Sequence, residues 1–442
     1  MPRSPPLLLA LLLLLLLLLA SAAAHPATEP SPASATSTRT FDVTSFGAVG
    51  DGAADDTAAF QAAFDALGTA PGTVHVPTGS FLLTSTVRIA CPGLFSFRGD
   101  GPGSNLLWAS DSTLLLFDAP APVGMATIAD LTVSSVMRAK SAASVALAFP
   151  AGLVKSLIDT VQVIGAGGLP SGGTGGVPQQ TFIFGGGFDL GNVTDTVSLR
   201  NCLLWFGCGT GVKIGRGSEV RLEGGRYIGN KNDGGPDDSI GVHVTGNNGG
   251  VHVVSSDIIS WGTGMALDSS NGQGSNREIF ISHGTLDSNG RGLAVFDNSY
   301  VSIAGCWAAS SALDNIWTAP GSNPQLDIAG GTIFNAGATA GGDCAGSQCN
   351  GITVNGGTFV LSGVAIRNNQ GTGIWTPSDK VTGYVISGCR VTDNGFGARL
   401  AGQDFTVTGS VFRGNKNGSL ALTAPSLPHV VSANIGADSS IA

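Results

Sequence analysis

Phe359-Val-Leu-Ser-Gly-Val-Ala-Ile-Arg-Asn-Asn-Gln-Gly-Thr-Gly-Ile-Trp-Thr376 and Tyr384-Val-Ile-Ser-Gly-Cys-Arg-Val-Thr-Asp-Asn-Gly-Phe-Gly-Ala-Arg-Leu400 repeat one phrase. Each opens apolar-x-apolar-x-Gly, reaches an Asn ten residues after its first apolar position, and then shows a Gly followed by alternating residues. The opening recurs outward from this pair, with first apolar positions at Val197, Val220, Val251, Ile279, Val301, Leu326, Phe359, Tyr384 and Phe405. The intervals are 23, 31, 28, 22, 25, 33, 25 and 21 residues, a coil in the low twenties with three loop insertions. A fixed phrase on a ragged period marks a solenoid whose units bury their apolar faces on one another.

Register within the coil is tighter than coil length. Asn230, Asn289, Asn369, Asn394 and Asn415 stand ten residues after Val220, Ile279, Phe359, Tyr384 and Phe405. Stacked at one turn, Asn amides can donate and accept between coils about 4.8 Å apart, satisfying a bend that would otherwise bury unpaired groups. The later phrase recurs as Gly211-Val-Lys-Ile214, Gly241-Val-His-Val244, Gly264-Met-Ala-Leu267, Gly292-Leu-Ala-Val295, Gly373-Ile-Trp-Thr376 and Gly397-Ala-Arg-Leu400. Alternation turns Val212, Val242, Met265, Leu293 and Ile374 inward and sets Lys213, His243, Ala266, Ala294, Trp317, Thr353, Trp375 and Arg399 in one outward row. The expected fold is all-β, a single-stranded right-handed parallel β-helix with an N-terminal helical cap. A leucine-rich horseshoe or a propeller would need a different repeat.

The ends divide accordingly. Residues 1–24, with Arg3, the apolar run Leu7–Leu19 and small residues after it, read as a secretory signal peptide. Residues 25–40 read as a Pro/Ser/Thr-rich spacer, 41–125 as the cap and first coils, 126–424 as the β-helix and 425–442 as a tail. The mature protein is therefore expected to be secreted, extracellular or in a cell wall, and free of membrane. Gly is 67 of 442 residues, charged residues are 12 % and net charge is −9, which argues against a nucleic-acid partner. Of seven cysteines, Cys344 and Cys349 flank a short loop and are the disulfide candidate. Cys202, Cys306 and Cys389 fall inside the stack, where Cys306 and Cys389, three coils or about 14 Å apart, cannot bridge. Asn192-Val-Thr194 and Asn417-Gly-Ser419 are glycosylation sequons.

Before the repeats stands Phe46-Gly-Ala-Val-Gly-Asp-Gly52 with Asp55-Asp-Thr57, a helix with Phe60, Phe64 and Leu67 on one face, and Val74-His-Val-Pro-Thr-Gly79. This segment resembles the entry of the pectate lyase superfamily, which includes rhamnogalacturonase, polygalacturonase and epimerase-like β-helix proteins. The resemblance implies the fold and a helical lid over the first coil. It also implies a glycan as substrate or ligand, without fixing the reaction.

Polygalacturonases draw acid and base carboxylates from neighbouring coils through Asn-Thr-Asp, Asp-Asp, Gly-His-Gly and Arg-Ile-Lys motifs. Here Pro236-Asp-Asp-Ser-Ile-Gly-Val242 matches the second, while Cys208-Gly-Thr210, Gly262-Thr-Gly264 and Ala294-Val-Phe296 replace the others. Only Asp237 and Asp238 carry over, with a polar turn as their alternative reading. His243, Asp268 and Asp297 follow on the same face, where carboxylates one or two coils apart fall roughly 5–10 Å from each other, the range acid–base pairs require. Lys213 and Arg216 could neutralise a uronate, and Trp317 and Trp375 could stack on sugars unless loops cover them. The chemistry expected is hydrolysis or β-elimination of a uronate-containing wall or matrix glycan. No cofactor is required, although a lyase would admit calcium. The rival is a non-catalytic glycan-binding or wall-structural β-helix.

Overall fold

The computed structural model describes residues 39–442 except 137–143, 166–183, 234–235, 247, 270–277, 339–343, 345–347, 424–428, 437–438 and 442. The signal peptide and almost all of the spacer lie outside the described residues.

The chain is a right-handed parallel β-helix. Among the described residues, fourteen short strands stack as one wall, from Val87–Arg88 to Ser439–Ile441. Twenty-eight others among the described residues form the second and third walls. These two are joined because Thr127–Ser135 and Leu153–Gly165 run unbroken across the corner between them. Every strand pairing is parallel, and the inward side chains form one continuous apolar column. One file runs Phe41, Val74, Phe97, Ile128, Ile158, Leu199 and Leu222. It continues through Val253, Ile281, Ile303, Ile328, Leu361, Ile386, Val407 and Val431.

That file corrects the expected C-terminal limit of the stack. The first coils begin at Thr40, at the edge of the segment read as cap and first coils, and the supposed tail continues the stack, since His429–Ser432 pairs with Phe405–Thr408 and Ser439–Ile441 with Leu420–Leu422. The earliest coils escape the sequence pattern because a helix and long loops separate their strands.

Within the repeats the register is as read. Val197, Val220, Val251, Ile279, Val301, Leu326 and Phe359 are successive partners. The rings of Phe359, Tyr384, Phe405 and His429 then stack at 4.6, 4.7 and 5.2 Å, close to the coil spacing. The Asn turn is also present. Asn369 and Asn394 each donate an Nδ2 proton to the Oδ1 of the Asn in the next coil, at 2.9 and 3.1 Å, ending on Asn415. Asn315 reaches Asn369 Oδ1 at 3.2 Å across the intervening coil, which has no Asn at the ladder position. Cys202, Cys306 and Cys389 are buried free thiols, and Cys344 and Cys349 are disulfide-bonded with Cα atoms 5.7 Å apart.

Helix α1 (Thr57–Leu67) buries Phe60, Phe64 and Leu67 over the first coils. Asp55 accepts from the Thr57 amide and hydroxyl at the helix start. Asp56, almost wholly buried, turns away and accepts from the amides of Val49 and Gly50 at 2.6 and 3.2 Å. It thereby pins the Gly-rich loop to the lid. Gly50 is obligatory there: its φ is +69° and a Cβ would stand 2.8 Å from the Phe81 ring.

Candidate functional site

The 14-stranded wall carries the predicted outward row. Asp189, Lys213, His243, Ala266, Ala294, Trp317, Thr353, Trp375 and Arg399 are consecutive partners. Lys213 Nζ pairs with Asp189 at 3.2 Å. His243 Nε2 stands 4.0 Å from Asp268 Oδ2, because Asp268 aligns with Thr245, two residues along from His243. Burial holds the His243 imidazole below its ordinary pKa; Asp268 pulls it up and Lys213 pushes it further down. At neutral pH the ring is therefore neutral and can accept a proton.

Past the ends of these strands lies an open cavity of about 550 Å³ lined by Asp268, Ser269, Phe296, Asp297, Asn298, Pro320, Gly321 and Ser322. Asp297 is nearly buried and accepts from the Ser299 amide at 3.0 Å and from its hydroxyl, so its carboxylate also shapes the turn. Phe296 meets Trp317 edge-on at 5.4 Å, and the Arg291 guanidinium lies over Trp317 at 4.5 Å. Trp317 and Trp375 are half-buried, whereas Ala266, Ala294 and Thr353 between and beside them are covered. The row is a set of partial openings rather than a bare strip.

The structure brings together His243, Asp268 and Asp297, with Lys213 one coil away. It separates them from Asp237 and Asp238. Those residues precede Ile240, at the opposite end of the strand from Thr245 and Asp268. At about 3.3 Å per residue the gap is roughly 20 Å. Sequence spacing counted coils and missed position along the strand. Asp237 is highly exposed and pairs with Lys231, which lowers its carboxyl pKa, and Asp238 is exposed. Arg216 is likewise off this wall, opening the strand Arg216–Glu223 of the second wall. The sequon residues Asn192 and Asn417 are exposed.

Two groups escaped the sequence reading. Asp314 is buried, and burial pushes its carboxyl up to about 6 against hydrogen bonds from Asn350 and Thr353 and the nearby charge of Arg291. It accepts from the Asn350 amide at 2.7 Å, one coil on. Arg291, whose Nε is buried without a hydrogen bond, lies between Asp314 and Trp317. The available signal was the lengthened turn Ser311-Ala-Leu-Asp314, which displaces the ladder residue from position 311 to Asn315.

With the lid, its pinned glycine loop and the first coils in view, the entry segment can be compared. Residues 40–112 match the family described as rhamnogalacturonase A/epimerase, pectate lyase-like. The fold as a whole is similar to those of several solved structures. The A-module of the Azotobacter vinelandii mannuronan C-5 epimerase AlgE4 superposes with a TM-score of 0.50 at 14 % identity, covering 91 % of this chain and 97 % of that one. The Agl-KA catalytic domain gives 0.51 at 15 %, covering 92 % and 69 %. The Dettilon tailspike protein gives 0.51 at 14 %, covering 89 % and 68 %. No curated protein matches the sequence.

Among the described residues no group of three or more His, Cys, Asp or Glu side chains is arranged to hold a metal ion. Asp297 bonds Ser299, and Asp268 faces His243. No step below passes through a metal.

Proposed function

We propose that the protein acts on a uronate-bearing polysaccharide lying on the first wall, by hydrolysis or β-elimination at the cavity beside His243, Asp268 and Asp297. The observation that carries this is the His243–Asp268 pair at the lip of a cavity flanked by Phe296 and Trp317. In elimination the neutral imidazole takes the C5 proton of the uronate, and Asp268 stabilises the imidazolium. As the C4–O bond breaks and the C4–C5 double bond forms, the proton passes to the departing oxygen. In hydrolysis the imidazole takes its proton from the attacking water, and the glycosidic oxygen leaves protonated. Lys213 offers positive charge to a sugar carboxylate. The mannuronan epimerase that shares the fold supports a uronate polymer, and residues 1–24 support delivery outside the cell.

The test is reducing-end release from a panel of pectins and alginates, read beside the ultraviolet absorbance of unsaturated products. His243→Gln and Asp268→Asn should each lose about a hundredfold or more in turnover, the usual yield of a positioned acid or base. Asp237→Asn/Asp238→Asn should keep it. Equal turnover by His243→Gln, Asp268→Asn and wild type would overturn the assignment.

One observation favours a second reading, a non-catalytic glycan binder. Asp297 is already engaged by the amide and hydroxyl of Ser299, which takes it out of acid–base work. On that reading the panel yields no product while the polymers still bind.

A further inference from the structure

The third wall carries a second ladder that the proposed reaction does not use. Trp307, Thr332, Ala365 and Arg390 are consecutive outward partners in one column, and Ala309, Phe334, Arg367, Thr392 and Arg413 in the column beside it. Inward Ala308, Ile333, Ile366, Val391 and Phe412 hold the strands flat against the core. Trp307 is 36 % exposed, and its ring lies 5.5 Å from that of Phe334. Arg367 extends over Phe334 at 5.2 Å, and Arg367, Arg390 and Arg413 are all exposed. The face thus offers two rings and then three guanidiniums over four coil steps, roughly 19 Å.

The charge along this face is uneven. Towards its N-terminal end Arg226 is paired with Asp257 at 3.2 Å. Among the described residues none of Arg367, Arg390 and Arg413 has an ion-pair partner. Asp393, at the margin, lies against Gly414. From residue 351 onward the chain has six Arg and Lys against four Asp, within a protein of net charge −9.

We propose that this face is a binding track for a linear anionic polysaccharide, separate from the first wall. Indole and phenyl rings suit the apolar faces of pyranoses. Guanidiniums suit carboxylate or sulfate groups, which they can engage through two parallel hydrogen bonds. The coil spacing of about 4.8 Å sets these groups at a step comparable to one sugar of an extended chain. The inference goes beyond the proposed reaction and stands if that reaction is absent.

Affinity electrophoresis of the full chain through gels containing polygalacturonate or a neutral glucan tests it. Wild type should be retarded by polygalacturonate and much less by the glucan. Arg367→Gln/Arg390→Gln/Arg413→Gln should weaken the retardation about tenfold, as three exposed charge contacts allow, while turnover of a short oligosaccharide is unchanged. Trp307→Ala should weaken it independently. For wild type alone, retardation should fade as the Debye length shrinks from about 30 Å at 0.01 M salt to about 8 Å at 0.15 M. Wild-type retardation by the triple variant, equal retardation by the neutral glucan, insensitivity to salt, or preferential binding of anionic phospholipid vesicles would each overturn the proposal. Loss of turnover in Asp268→Asn with retardation intact would leave the two sites distinct.

Discussion

Trp261 donates its indole Nε1 proton to the carbonyl of Tyr227 at 2.9 Å. One coil later Asn289 Nδ2 donates to the carbonyl of Ile258 at 3.0 Å, and Ile258 is the ladder partner of Tyr227. The indole therefore does the work of a missing Asn at this turn and fills the core as well. Trp261→Phe, which removes the donor and part of the ring volume, should cost at least about 1–3 kcal/mol by leaving a buried carbonyl unpaired. Trp261→Ala, which opens a much larger cavity, should cost about 3–5 kcal/mol. Urea denaturation of the two variants gives both values.

Asn394 is a fully used rung of the Asn ladder. Its Oδ1 accepts from the amide and the Nδ2 of Asn369, and its Nδ2 donates to Ile366 and Asn415. Asn394→Leu keeps the approximate volume and strands several buried partners. A loss of about 2–4 kcal/mol is expected, against under about 1 kcal/mol for the exposed Lys416→Ala. Thermal unfolding of the two variants measures the contrast.

His75 bridges the first coils, with Nδ1 2.8 Å from Asp42 and Nε2 2.9 Å from Asp100. The Asp100 hydrogen bond raises its pKa above 6.5 and outweighs burial, with Asp42 adding to the effect. Burial opposes ionisation of Asp42, but hydrogen bonds from Thr44 and His75 leave its pKa below 3.8; His75 likewise lowers that of Asp100. The histidine's contribution is complete below its unfolded value of 6.5 and lost as pH rises through the folded one. The carboxylates contribute above 3.8 and lose their share as pH falls through their folded values. The clamp is therefore strongest between about pH 4 and 6.5. The melting temperature of wild type should exceed that of His75→Gln most in this window, and the difference should narrow above it.

His243 works in the opposite direction. Burial lowers its folded pKa below 6.5, so below that pH the unfolded chain takes the proton more readily and stability falls. Asp268→Asn removes the group that favours the imidazolium and should lower the pKa further. Titration of the imidazole resonances reads the shift directly.

Much of this molecule is legible because the coil imposes one rule on every layer. Val220, Val251 and Ile279 align across the second wall because each must enter the same column, and the Asn ladder follows from the same bend. The outward row from Lys213 to Arg399 followed from alternation alone. Site geometry was harder to read, since position along a strand and length of a turn are local choices. Asp237 and Asp268 differ in strand end although their coils adjoin. Asp314 and Arg291 meet through an inserted turn that the period treats as noise. Trp261 has no Asn-like letter, although its N–H reproduces the Asn donor.

The stacked rings of Phe359, Tyr384 and Phe405 make the coil a unit of inheritance. Excision of 384–404 would seat Phe405 on Phe359 and hand the place of Asn394 to Asn415, with no rung left vacant. Lineages could thus gain or lose a whole layer in a single genetic event, changing the reach of both outer faces while the lid and its pinned loop stay untouched.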